Sequence, residues 1–150
     1  AYRAGERATP RTPRRVGAPA DGHRAAPQRG PVILVDTSVW VDHLRRGNPA
    51  LAERLAGAEV LIHPFVLGEI ALGNLARREV IIGSLARLPK ATVASDAEVM
   101  RLIDAARLHG RGIGYVDAHL LAAARLSAAR VWTLDKQLAS VAKTLALTHI

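Results

Sequence analysis

Four consecutive residues, Val32-Ile33-Leu34-Val35, are apolar at every position and run directly into Asp36. A strand with one wet face alternates apolar and polar residues, so an unbroken apolar run predicts a strand covered on both faces. Such a strand belongs in a parallel sheet held between two layers of helices. The rest of the chain keeps to that pattern. Val60–Ile62, Ala91–Ala94 and Val131–Leu134 read as further short strands, and the segments between them have helical spacing. A helix is expected to begin near Ser38. Asn48-Pro49 supplies an N-cap and a first-turn proline for a second, running through Leu55 and ended by Gly57. Pro64 opens a third, with Val66, Leu67 and Ile70 on its apolar side. Glu79–Leu88 is stopped by Pro89, and Ser95-Asp96-Ala97-Glu98 is a capping box for a helix that Gly110 ends. Tyr115–Leu126 and Lys136–Leu145 complete the set. Strands separated by helices predict an α/β domain with a mainly parallel central sheet of four to five strands.

The core that such a fold needs is available. Hydrophobic residues make up 49% of the chain but aromatics only 3%, so the filling must be Leu, Val, Ile and Ala. With 150 residues there is room for one domain of ordinary size. The chain has no cysteine, which excludes disulfides and thiolate zinc sites. No stretch approaches the roughly 20 apolar residues of a membrane span, and no signal-peptide core is visible, so a cytoplasmic protein is expected. The net charge of +8 is unevenly spread. Residues 1–30 carry seven arginines against Glu6 and Asp21, leaving a body of only +3. That Arg-, Pro- and Ala-rich segment cannot bury enough surface to offset its ordering entropy, so residues 1–30 are expected to form a disordered basic extension and residues 31–150 the folded domain.

In open parallel sheets ligands bind beyond the carboxyl ends of the strands. Four acids are expected there. Asp36 follows the first strand, Asp135 follows the last, Glu69 lies near the second turn of the Pro64 helix, and Asp117 is in the first turn of the helix after Gly112-Ile113-Gly114. Each has a structural alternative. Asp36, Asp117 and Asp135 could each cap a helix or answer its dipole, and Glu69 could face solvent. Together they point elsewhere, because converging carboxylates repel one another unless cations are present. Hard divalent cations take oxygen ligands, and two of them about 3.5–4 Å apart can activate water and stabilise a leaving oxygen in phosphodiester hydrolysis. An acidic cluster without cysteines or a histidine pair at metal spacing favours magnesium or manganese over zinc.

The segments VDTSVWVD, HPFVLGEIALG, IGYVDAHLLAAA and VWTLDKQL resemble, in order and spacing, the four acidic motifs of PIN-domain nucleases. In particular they resemble those of the VapC toxins of bacterial toxin–antitoxin pairs. The resemblance spans Val32 to Leu147 and implies a PIN-like three-layer α/β/α domain. It implies that Asp36, Glu69, Asp117 and Asp135 line a Mg2+ or Mn2+ site, with Thr37, Ser38 and Thr133 in support. It further implies an endoribonuclease acting on structured RNA (transfer or ribosomal RNA), a cognate VapB-type antitoxin that blocks the acidic pocket, and a homodimer. The alternative is a non-catalytic PIN domain that binds RNA or a partner; an intact set of acids argues against it.

Other residues carry weaker signals. The basic pairs Arg45-Arg46, Arg77-Arg78, Arg87 with Lys90 and Arg107 with Arg111 could meet RNA phosphates, but such pairs are more often solvated. His63, before Pro64, could fix a turn, and His119 lies two positions from Asp117 and so on a different helix face. None of the six histidines is expected to be a ligand or a base. Trp40 and Trp132 are expected in the core, and Asp42 is expected to face solvent.

Overall fold

A computed structural model describes residues 30–149. At its centre lies the short strand β1 (Ile33–Val35), with β2 (Val60–Leu61) on one side and β3 (Arg130–Trp132) on the other, all parallel. Ile33, Leu34 and Val35 are all fully buried. Successive side chains of a strand point to opposite faces, so helices must cover both sides of the sheet. They are α1 (Thr37–Arg46), α2 (Pro49–Ala56), α3 (Pro64–Ala71), α4 (Arg78–Ala86), α5 (Asp96–Ala106), α6 (Tyr115–Leu126) and α7 (Lys136–Thr144). These seven helices of the described residues around a parallel sheet are the three-layer α/β/α architecture expected from the sequence.

The sheet is narrower in regular strand than its apolar runs suggested. Ala91–Ala94 is not a strand: only a single parallel bridge, Ile62 to Lys90, joins that segment to β2. The ladder stops because its next rung would need an amide at Pro64, which has none and already opens α3; the Thr92 amide, on the other side of the segment, donates to Ser127 Oγ at 2.9 Å. A second single bridge, Val131 to Thr148, adds the C-terminal segment at the other edge. Five chain segments thus run across the sheet, three of them as strands. The last strand also ends before Leu134, since the amides of Leu134 and Asp135 turn to the hydroxyls of Ser38 and Thr133. The extension expected over residues 1–30 lies, apart from Gly30, outside the described residues.

Local chemistry sets the helix boundaries. Asn48 accepts from the Leu51 amide and precedes Pro49, and Ser95 and Glu98 form the capping box at α5. His63 does fix the turn before α3: its Nδ1 accepts from the Phe65 amide at 3.0 Å. The core is aliphatic, with Leu51, Val66, Leu120, Leu121 and Leu138 fully buried, and among the described residues Trp40 is the one aromatic in it. Trp132 is half-buried against His149, their rings 5.0 Å apart. No helix among the described residues is long and apolar enough to cross a membrane.

Candidate active site

The chain leaves β1 toward β2 on one side of the sheet and returns to β3 on the other. This change of direction opens a crevice beyond the carboxyl end of β1, where α/β sheets bind their ligands. Asp36 stands at its floor. Its amide donates to Trp132 O at 2.9 Å, carrying the β1–β3 ladder one residue further, and its side chain is only 8% exposed. Although Asp36 occupies the N-cap position of α1, its carboxylate caps no amide. Oδ2 accepts instead from Ser38 Oγ at 2.7 Å and from Thr133 Oγ1 at 2.8 Å. Each hydroxyl in turn accepts from an amide, Ser38 from Leu134 and Thr133 from Asp135. A hydroxyl has one proton to give, so both protons are committed to Asp36. The 3.3 Å approach of the two hydroxyl oxygens is therefore a packing contact.

The other acids surround that floor. Glu69 is exposed on α3, and its Oε2 accepts from Thr37 Oγ1 at 2.6 Å. Asp117, half-buried at the start of α6, accepts from the Gly114 amide at 3.1 Å. Asp135 caps α7 by accepting from the Leu138 amide at 2.9 Å. The loop before Asp117 lies tightly on α7. Gly112 has φ +77°, and a Cβ there would come within 2.6 Å of Gln137 Nε2. Burial raises the Asp117 carboxyl above its ordinary value. The Gly114 hydrogen bond opposes this, and the charges of Asp36, Asp135 and Glu69 add to the rise. Asp117 therefore lies in the field of all three other acids.

Among the described residues, no three acidic or histidine side chains are drawn in closely enough to enclose one metal ion. The four carboxylates ring the crevice rather than close on a single point. Their chemistry nonetheless suits a hard divalent cation. Each has one oxygen held by an internal donor, while the second makes no hydrogen bond to the described residues. An all-oxygen donor set under mutual repulsion, with half its oxygens uncommitted, fits magnesium or manganese.

The PIN domain family profile matches residues 33–144, three-quarters of the chain and all four acids. The chain is a PIN-domain protein. Its similarity to Ribonuclease VapC32 of Mycobacterium tuberculosis is 47% identity over 108 residues, covering 71% of this chain and 87% of that one. This places the PIN domain with the VapC-type ribonucleases. Two solved structures share the fold. FitAcB from Neisseria gonorrhoeae matches with a TM-score of 0.54 at 22% identity, over 75% of this chain and 94% of that one. PAE2754 from Pyrobaculum aerophilum matches with 0.51 at 19%, over 77% and 86%.

Within this PIN domain the three hydroxyl residues have separate tasks. Thr37 holds Glu69, whereas Ser38 and Thr133 hold Asp36. Asp42 does not simply face solvent: it is half-buried, ion-paired with Arg46 one turn on and bonded to Asn48 Nδ2 at 3.3 Å. That places it away from the acids of the crevice. Sequence reading had no means of finding the Gly114, Leu134 and Asp135 amides that orient the site, because backbone donors leave no mark on residue type. Nor could it show that Glu69 also forms part of the wall of a cavity of about 400 Å³, shared with α1 and the α3–α4 loop.

Proposed function

We propose that this PIN domain is a VapC-type endoribonuclease toxin that hydrolyses phosphodiester bonds in structured RNA, with Mg2+ or Mn2+ as cofactor. The observation that carries the proposal is Asp36 just beyond the end of β1, one carboxylate oxygen held by the Ser38 and Thr133 hydroxyls and the other making no hydrogen bond to the described residues. The kinship with a ribonuclease supports the same reading. Asp36, Glu69, Asp117 and Asp135 would hold the cation through their uncommitted oxygens. Bound divalent ions supply Lewis acidity, which lowers the pKa of water and neutralises charge on the leaving oxygen.

The residues of the chain do the rest. Ser38 and Thr133 fix the Asp36 carboxylate through one oxygen, which leaves the other free for a cation. Thr37 does the same for the longer and more exposed Glu69 side chain. In the overall step, water oxygen bonds to phosphorus, the P–O3′ bond breaks, and a proton lost by the water returns to the 3′ oxygen. No histidine is needed as a base. His63 and His119 are buried, and their contacts are with Phe65, Tyr115 and Asp96.

The same kinship supports a cytoplasmic protein that works as a homodimer and is held inactive by a VapB-type antitoxin over the acidic crevice. Transfer or ribosomal RNA is the proposed substrate. The test is cleavage of total RNA by antitoxin-free protein under Mg2+ or Mn2+, beside a chelator and an Asp36→Asn variant. Discrete products that vanish in both controls are expected. Intact RNA under both metals, from protein shown to be folded, would sink the proposal in favour of a non-catalytic binding domain.

A further inference from the structure

The cavity beside Glu69 has a composition that the four acids do not explain. It lies between the C-terminal end of α1, α3 and the loop into α4, at about 400 Å³. That is within the roughly 300–1,000 Å³ usual for small-ligand pockets. Leu44, Ile70 and Ile81 give it an apolar wall, and Arg45, Asn74 and Arg77 share its lining with Glu69.

None of these three polar side chains is used by the fold. In the doublet Arg45-Arg46, Arg46 is paired with Asp42; in Arg77-Arg78, Arg78 donates to Ala71 O at 2.8 Å. The side chains of Arg45, Asn74 and Arg77 make no hydrogen bond or ion pair with the described residues. One member of each doublet is thus tied down, and the other is left facing the cavity.

Arg77 also breaks a local rule. Five non-glycine residues have positive φ among the described residues. Ala58, Arg107, Ala128 and Ala146 follow helix ends, where a left-handed residue satisfies the last carbonyls. Arg77, at φ +53°, precedes a helix instead. It stands at the N-cap of α4, where Ser, Thr, Asp or Asn would bond a free amide, and its side chain caps nothing. The fold gains nothing from an arginine in that conformation, which marks the residue as serving something outside the fold.

We infer that this cavity holds the nucleotide next to the scissile phosphate, with Arg45 and Arg77 on its phosphates and Asn74 at the edge of its base. The inference rests on the nuclease reading above. A nucleotide has the matching halves: a flat, weakly polar base for the apolar wall and an anionic backbone for the two guanidiniums. RNA brought to four carboxylates needs such cations, since the acids repel phosphate. Asn74 can both donate to and accept from a base edge, so it is the residue able to tell bases apart.

The test is binding of a short fluorescein-labelled single-stranded RNA of mixed sequence. Fluorescence anisotropy is followed over a salt series, with the full chain in an Asp36→Asn background. Arg45→Ala and Arg77→Gly should each weaken binding about tenfold, the loss of one charged contact. Each should also lower the slope of log affinity against log salt by about 0.7, the single-strand value per phosphate contact. Arg77→Lys should keep the slope. Glycine relieves the backbone at residue 77, so that variant should melt no lower than its parent; Arg45→Gln replaces Arg45→Ala if the latter unfolds. In the chain with Asp36 intact, Asn74→Ala should relax the base preference beside the cut. Parental affinity and slope in the double arginine variant would overturn the inference. So would unchanged RNA binding with weakened binding of the antitoxin, which would assign the cavity to a protein. Binding is read whether or not the parent cuts, so intact RNA in the cleavage assay sinks the nuclease reading and leaves this measurement able to decide on the cavity.

Discussion

Thr133→Val is the sharpest probe of how the site is held. Valine keeps the shape of threonine and removes one hydroxyl, which donates to Asp36 Oδ2 at 2.8 Å and accepts from the Asp135 amide at 3.0 Å. The first bond has a carboxylate acceptor, a type that contributes about 1.5–3 kcal/mol. Asp36 keeps Ser38 as a second donor, and Asp135 is exposed enough for water to reach its amide. The expected loss is therefore at the low end, about 1–2 kcal/mol, which corresponds to a Tm drop of roughly 3–8 °C for a domain of this size. The cost to catalysis should be larger than the cost to stability. With one of two anchors gone the Asp36 carboxylate can turn, and loss of such a supporting contact typically lowers metal affinity or activity about 10–100-fold. Thermal melts and RNA-cleavage kinetics over a Mg2+ titration would measure both, with Thr133→Ser as the variant that restores the hydroxyl. If Thr133→Val matches the parent in kcat and in Mg2+ requirement, or if Thr133→Ser is as impaired as the valine variant, the hydroxyl does not position Asp36.

Three further outcomes are expected. Asp117→Asn removes a carboxyl whose pKa burial raises, with the neighbouring acids adding to it. A raised acid contributes stability below its unfolded pKa and loses it as pH rises through the folded value, so at neutral pH the asparagine variant should melt higher than the parent without Mg2+ and gain less from added Mg2+. Its cleavage should fall by more than the roughly 100-fold ceiling of an outer-shell change. His63 is buried and its pKa is pulled down to about 4, by burial and then by His119, so the neutral ring belongs to the fold. Its stabilising contribution is complete above the unfolded value and is lost as pH falls from 6.5 toward 4. That loss is up to roughly 3 kcal/mol, and urea unfolding of His63→Asn, which keeps a capping oxygen but cannot titrate, should show a flatter pH profile. Leu34→Ala, at a fully buried position of the central strand, should cost about 2–5 kcal/mol by denaturant melts, with activity surviving in the fraction that remains folded.

The sequence and the structure part company where a backbone amide is missing from the ladder or diverted to a side chain. The apolar run Ala91–Ala94 carries the composition of a strand, yet the next rung toward β2 falls on Pro64, which has no amide to give. Leu134 and Asp135 leave the last strand because their amides turn to hydroxyls, and here the diversion builds the site. Helix ends were legible because their signals are local: Asn48-Pro49, the Ser95–Glu98 box and His63-Pro64 act within a few residues of themselves.

Residue type and spacing alone determined the layered α/β class and the buried central strand, and they singled out Asp36 and Asp135 as acids close beyond a strand, since each of these depends on periodicity or on such a position. Only the tertiary structure decided how those acids are held and what lies beside them. It put Ser38 and Thr133, 95 residues apart in the chain, on one oxygen of Asp36. It tied Arg46 and Arg78 into the fold while leaving Arg45 and Arg77 on a cavity shared with Glu69. The physical reason is range. Apolar burial imprints a repeating pattern on neighbouring residues, whereas a hydrogen bond or a shared electrostatic field depends on where distant segments meet, and no single segment records it.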